Sequence, residues 1–274
     1  MPPIRSPIAA LTALTAAAVS APAAAEPDPY ADLVAARALL ETDGIAPGET
    51  AWVGVLLEIK EGWHTYWPGQ NDSGLGTQIV PTMPPGFLIG DPIWPAPERY
   101  LAPGDILDHV HTGAVMALVP VKAAPDAEVG SRAEFSFDLS WLVCDDVCIP
   151  GWETVTLTVP VVERSDVIGG QVARAFERSR DRIPRQLPEA GHVLVDWLGT
   201  AAEIRAGDAK NLSFYPDEGG STVRDLPVSG TTSSGVLRLS FDAPEPVLSG
   251  VLEIHGSGDT SQLFVVRSVR DGED

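Results

Sequence analysis

Cysteine is almost missing from this sequence: 274 residues contain two, Cys144 and Cys148. A framework of several disulfides around a small core is therefore excluded, and the pair has to be judged as one unit. Positive charge is scarce as well, with 18 Lys and Arg against 38 Asp and Glu and a formal net charge of −20. So acidic a surface repels nucleic acid and anionic lipid, and no nucleic-acid partner is expected. The same balance also serves plain solubility, so it identifies no partner by itself. Beyond the N-terminus no stretch is long or apolar enough to span a bilayer, and no membrane insertion is expected. Zinc-ligand arrays, a phosphate-cradling glycine loop and a serine nucleophile elbow are not recognisable, and the sequence asks for no cofactor.

What is present begins with an export layout. Arg5 is followed by an alanine-rich apolar run from Ile8 to about Ala21, then Ala23-Ala24-Ala25 before Glu26-Pro27-Asp28. That is the pattern of a cleavable secretory signal over residues 1–25, cut after Ala25. The run is shorter than the ~20 residues of a spanning helix and ends at Pro22. No cysteine lies near the cut to take a lipid. Removing the segment takes away only Arg5 among charged groups, so −20 becomes −21. The remaining chain, about 250 residues, exceeds one average domain, which makes two the expectation.

Short apolar runs bounded by Pro and Gly predict strands at 51–60, 114–122, 132–143 and 153–161. The third alternates cleanly, with Phe135, Phe137, Leu139 and Trp141 on one face and Glu134, Ser136, Asp138 and Ser140 on the other. One face is therefore buried, and the pattern predicts an antiparallel β-sandwich over residues 26–164. Leu33–Leu40 is ambiguous by period and is read as an edge strand. Residues 165–188 change character: Ser165 or Asp166 is placed to cap a short helix with Val172, Phe176 and Ile183 on one side. Strand-like runs then return at 192–198, 202–206, 211–215, 236–241, 247–255 and 262–269. They predict a second, smaller β-sandwich over 189–274, so the fold class is all-β with a helical connector.

The chemistry concentrates in Trp141-Leu142-Val143-Cys144-Asp145-Asp146-Val147-Cys148-Ile149-Pro150. In a straight strand, positions four apart lie ~13 Å from each other, whereas a disulfide needs α-carbons within roughly 4.4–6.8 Å. The chain must turn at Asp145-Asp146-Val147, where aspartates favour tight turns. Pro150 is expected to limit the ladder beyond Cys148. A disulfide closing so small a loop adds little stability, which favours exchange chemistry over a passive staple. The spacing differs from the thioredoxin-type pair, which has two intervening residues at a helix start. Asp145 and Asp146 are turn residues, and their charge is expected to raise the thiol pKa values.

Three segments together resemble a known family, the N-terminal periplasmic domain of the DsbD/ScsB disulfide reductases. They are Lys60–Trp67 with Asp72-Ser73-Gly74-Leu75, Ile93-Trp94-Pro95-Ala96-Pro97-Glu98-Arg99-Tyr100, and the Trp141–Pro150 hairpin. The likeness spans about Ala31 to Val162. It implies an immunoglobulin-like domain with a redox-active pair in which Cys148 attacks and Cys144 resolves. It also implies an electron relay between a thioredoxin-like or DsbD/CcdA-like membrane reductase and oxidised periplasmic protein substrates. Those reductases carry membrane and thioredoxin-like domains on one chain; here a second β domain follows, and the electron source is expected on a separate protein. Trp94 and Tyr100 are expected to shield the cysteines, whereas Trp63, Tyr66 and Trp67 are read as packing. Two rival readings stay open. The cysteines with His64, His109 or His111 could grip Cu(I) in a copper-tolerance role, or the second domain could make the chain a structural adaptor.

Overall fold

The computed structural model describes residues 30, 32–188, 193–207, 209–256 and 261–270. The expected signal, residues 1–25, lies outside them. The described elements run β1 (Val34–Leu40), β2 (Thr50–Ile59), β3 (His64–Tyr66), β4 (Gln78–Thr82), β5 (Phe87–Ile89), β6 (Glu98–Ala102), β7 (Ile106–Thr112), β8 (Ala114–Ala123), β9 (Arg132–Cys144), β10 (Cys148–Pro160) and α1 (Gln171–Arg182). They continue as β11 (Arg185–Gln186), β12 (Val193–Leu198), β13 (Ala201–Ala206), β14 (Asn211–Pro216), α2 (Leu226–Ser229), β15 (Thr231–Thr232), β16 (Val236–Ser240), β17 (Val247–His255) and β18 (Ser261–Val269).

Alternating burial along β9 organises the first half of the chain. Phe135, Phe137, Leu139, Trp141 and Val143 point inward, as the period of two requires, and Glu134, Asp138 and Ser140 point out. Their inner face meets Val53, Val55 and Leu57 of β2 and Val119 and Val121 of β8 in one core. Each such side chain, fully buried, stabilises by about 1.5–3 kcal/mol. One sheet is ordered β1-β2-β8-β5, the other β10-β9-β3-β7-β6 with β4 also on β9. β1 lies at a sheet edge, as read from the sequence.

The middle strands β2 and β8 read as unbroken apolar runs because both of their faces are covered. Leu56, Met116 and Leu118 point away from the sandwich and receive Phe176 of α1, with Val172, Ala175 and Ile183 around it. Ser179 donates its hydroxyl to the Met116 carbonyl, and Arg180 pairs with Glu41. The expected cap at Ser165 or Asp166 is corrected: the helix starts at Gln171 after Gly170, whose φ of 75° turns the chain in. Ser165 and Asp166 have other partners. Ser165 accepts the Ala46 N–H, and Asp166 exchanges two hydrogen bonds with Asp43, holding this stretch extended along residues 42–46.

After α1 two further sheets pack together, β11-β18-β17-β14-β15 and β12-β13-β16. Ile204, Leu212, Phe214, Leu239, Phe241 and Leu252 form their core, and Leu107 of β7 joins it. Pairing is antiparallel except for β11 on β18. The described residues from Asp32 onward cluster as one compact unit.

Two buried histidines on β7 tie packing to pH. The Nδ1–H of His109 donates to the Gln70 carbonyl at 2.7 Å, and the Nε2–H of His111 to the Pro95 carbonyl at 3.1 Å. The second ring nitrogen of each is buried without a partner, and burial pushes both groups down to about 4. An unfolded histidine titrates near 6.5, so between about pH 6.5 and 4 the unfolded chain binds more protons and stability falls as pH falls. Each histidine should cost on the order of 3 kcal/mol by the bottom of that window. Urea unfolding at pH 7, 6 and 5 should show the loss, and a His109→Asn/His111→Gln variant, which keeps one donor at each place, should show less than half of it.

Candidate redox site

β9 and β10 pair in register from Arg132↔Pro160 to Cys144↔Cys148, and the last pair is joined by a disulfide with α-carbons 4.2 Å apart. Asp145, Asp146 and Val147 make the turn, closed by Asp145 N–H to the Val147 carbonyl at 3.2 Å. The turn thus falls where the sequence put it. Pro150 is corrected as a stop: it pairs with Leu142 and the strand runs ten residues further, to Pro160. β10 is the outer strand of its sheet, where a missing N–H leaves no inner neighbour unpaired.

The two sulfurs differ in surroundings. Cys144 is 1% exposed, while Cys148 and the rest of the turn are open to solvent. On the far side of β9 lies β3, with His64 opposite Cys144 and the Tyr66 ring buried on the same face. Tyr66 donates its hydroxyl to Cys144 Sγ at 3.1 Å and lies 3.6 Å from Cys148 Sγ. Leu142 and Val110 pack around them. Burial pushes the Tyr66 phenol up, despite the Ser73 hydrogen bond, so it stays a donor at neutral pH. Gly74 makes this arrangement possible: a Cβ there would lie 2.0 Å from the Tyr66 ring. The same loop is pinned by Asp108, whose carboxylate accepts the Ser73 N–H and hydroxyl.

His64 links the sulfur site to the β6–β7 hairpin. Its ring meets Tyr66 edge-on at 5.4 Å and Tyr100 at 4.8 Å. Burial lowers its pKa against the opposing pull of Asp108 and Asp145, so the ring is neutral at neutral pH. Of the residues expected at the site, the structure brings Cys144 and Cys148 together, sets Asp145 and Asp146 exposed on the turn, and lays Tyr100 on His64. Trp94 instead stacks on His111 at 5.7 Å, on the face of β7 opposite Val110 and the cysteines. His109 shares the face of His111, so those two imidazoles and the sulfurs project from opposite sides of the sheet. Among the described residues, no group of three or more His, Cys, Asp or Glu is placed to hold a metal ion.

Tyr66 and His64 are the site residues that sequence reasoning passed over, one as packing and the other only as a rival metal ligand. Their signal was the two-residue spacing in Trp63-His64-Thr65-Tyr66-Trp67, which puts both on one face of an extended segment.

The family described as thiol:disulfide interchange protein DsbD, N-terminal, matches residues 32–160. No curated protein matches the sequence. Among solved structures, the N-terminal periplasmic domain of ScsB from Proteus mirabilis aligns over 88% of this chain and 96% of its own, with a TM-score of 0.56 and 14% identity. That likeness bears on fold alone and supports the immunoglobulin-like class. The N-terminal domain of Neisseria meningitidis DsbD in the reduced form aligns over 52% of this chain and 96% of its own, with a TM-score of 0.32 and 16% identity, too low a score to add to the argument. A cysteine pair joined at a hairpin tip in a β-sandwich, and the family match over that sandwich, mark residues 32–160 as a DsbD N-terminal domain.

Proposed function

We propose that this protein is an exported, periplasmic thiol–disulfide exchange protein. In this reading a DsbD/CcdA-like membrane reductase supplies electrons through a thioredoxin-like module, and oxidised periplasmic proteins receive them. The observation that carries it is the inequality of the two sulfurs: Cys148 is exposed at the hairpin tip, and Cys144 is buried under the Tyr66 hydroxyl. No helix among the described residues is long and apolar enough to cross a membrane.

The inequality supports one order of steps. A partner thiolate attacks Cys148 Sγ, the sulfur–sulfur bond breaks, and Cys144 leaves as a thiolate that takes up a proton. The partner's second thiol then attacks its own sulfur in the mixed disulfide and releases Cys148. Two electrons have moved to this chain, and the partner is left oxidised. Toward a substrate disulfide the roles reverse: the Cys148 thiolate attacks, and Cys144 resolves. The Tyr66 hydroxyl faces the sulfur on which negative charge appears, and a hydrogen bond to a charged group stabilises by about 1.5–3 kcal/mol. Asp145 and Asp146 disfavour a second anion beside them and keep the reduced thiols from reacting with adventitious oxidants.

Three outcomes are expected. Cys144→Ala, incubated with an oxidised thioredoxin-like protein, should accumulate a mixed disulfide through Cys148, and Cys148→Ala far less; non-reducing gels and mass spectrometry decide, and equal trapping would overturn the roles. Dithiothreitol should open the disulfide with the far-ultraviolet circular dichroism unchanged, since a loop this short contributes little stability; loss of β structure would make the bond a staple. Tyr66→Phe should slow reduction by a dithiol roughly tenfold, the rate equivalent of about 1.4 kcal/mol, with the melting temperature nearly that of the wild type.

A further inference from the structure

The β6–β7 hairpin has two working faces. Tyr100, Asp108 and Val110 alternate onto the side of the disulfide, where Tyr100 lies on His64 and Val110 packs with Tyr66 and Cys144. Arg99, Leu107 and His109 alternate onto the other side, and every one of them ends in the second sandwich. Leu107 is part of that sandwich's core, and His109 meets Tyr215 edge-on at 5.2 Å. The Arg99 guanidinium donates to the carbonyls of Leu226 at 3.1 Å, Gly230 at 3.2 Å and Pro227 at 3.4 Å, closing the C-terminal end of α2.

These contacts are specific. A Cβ on Gly230 would sit 2.6 Å from the Arg99 guanidinium and 2.7 Å from the Leu226 carbonyl oxygen that accepts from it, so the glycine leaves the space this contact fills. Carbonyls at a helix end carry partial negative charge and favour a cation. Three converging acceptors match the fixed fork of arginine better than a single ammonium. Close by, Gln70 exchanges a reciprocal pair of hydrogen bonds with the backbone of Val223, both at 2.8 Å, which anchors the loop leading out of β3. On the disulfide side, Tyr100 borders a surface groove with Trp63, His64, Glu98 and Val110.

We propose that Arg99 is a positioning residue through which the second sandwich holds Tyr100 against His64, and that this brace sets how readily the Cys144–Cys148 bond is reached. It rests on the exchange reading and gives the second sandwich its part in that reaction. Releasing Arg99 frees β6 at the sheet edge, lets Tyr100 leave His64, and opens the side of the hairpin on which Cys144 is buried. Partner proteins that engage β6 or α2 would then open the site from a surface distant from the sulfurs.

The test is the rate of disulfide opening by 2-mercaptoethanol, a monothiol too small to need a docking surface. Arg99→Ala, Gly230→Ala and Tyr100→Ala should each open about fivefold faster than the wild type, as expected when a locally closed segment loses a charged hydrogen-bond anchor. Arg99→Lys should recover part of the wild-type rate. Arg99→Ala with Tyr100→Ala should be no faster than the faster single variant, because both act through one hairpin. Multiplying effects would mean independent action and overturn the brace, as would unchanged rates in Arg99→Ala and Gly230→Ala. Should Arg99→Ala lose its β spectrum, Gly230→Ala, which disturbs the contact from the second sandwich, decides. Failure of the wild type to exchange with any dithiol protein would sink the exchange reading, whereas the monothiol rates report on the brace alone.

Discussion

One strand, Ile106–Thr112, has to serve two environments with a single run of side chains, and the two-residue period of a strand is what lets it. Asp108 and Val110 look to the cysteines; Leu107 and His109 look to the second sandwich. A slip of one residue would reverse every one of these assignments, putting a carboxylate into an apolar core and a leucine beside the disulfide. The register is held from both flanks, by β6 through five pairs and by β3 through three. The loop after β3 adds to this, since Asp72 accepts the Leu107 N–H and Asn71 the His109 N–H. Local backbone pairing, rather than any one side-chain contact, thus decides that the redox face and the domain contact exist together.

Within that frame the site obtains its chemistry from unequal burial. A hairpin tip exposes its turn by nature, and Cys148 follows the exposed turn. Cys144 is the last residue of β9 and still has a neighbouring strand, β3, to bury it. The three residues of β3 therefore make the difference between two chemically identical sulfurs. Tyr66 then adds polarity where it is useful: a hydroxyl in a place that is otherwise Leu142 and Val110. A phenol kept protonated by burial donates at every pH the protein meets in neutral surroundings.

Much of the fold was legible because β9, β2, β8 and the strands of the second sandwich obey simple patterns: alternation where one face is buried, continuous apolar runs where both are. The cysteine hairpin was legible for a different reason, the geometric demand of a disulfide between residues four apart. The stretch from His64 to Thr112 was not. Its strands are short, broken by Pro81, Pro95, Pro97 and Pro103, and rich in His, Thr, Tyr and Asp, and those residues are buried by aromatic stacking and by carbonyl partners distant in sequence. No local window contains the Gln70 carbonyl that accepts from His109, or the α2 carbonyls that receive Arg99. The helix start was missed likewise, because Ser165 and Asp166 have the chemistry of caps and use it on residues 43–46.

The outer strand β10 has a bearing on how such a protein survives crowding. An unpaired strand edge with Trp152 standing 77% exposed on it would ordinarily invite another chain to zip on and seed aggregates. Here Pro150 withholds a donor from that edge, and Glu153 turns its carboxylate to the Ala36 N–H of the neighbouring edge strand β1, at 3.3 Å. The hairpin that carries the disulfide is therefore flanked by residues that make it a poor template for polymerisation.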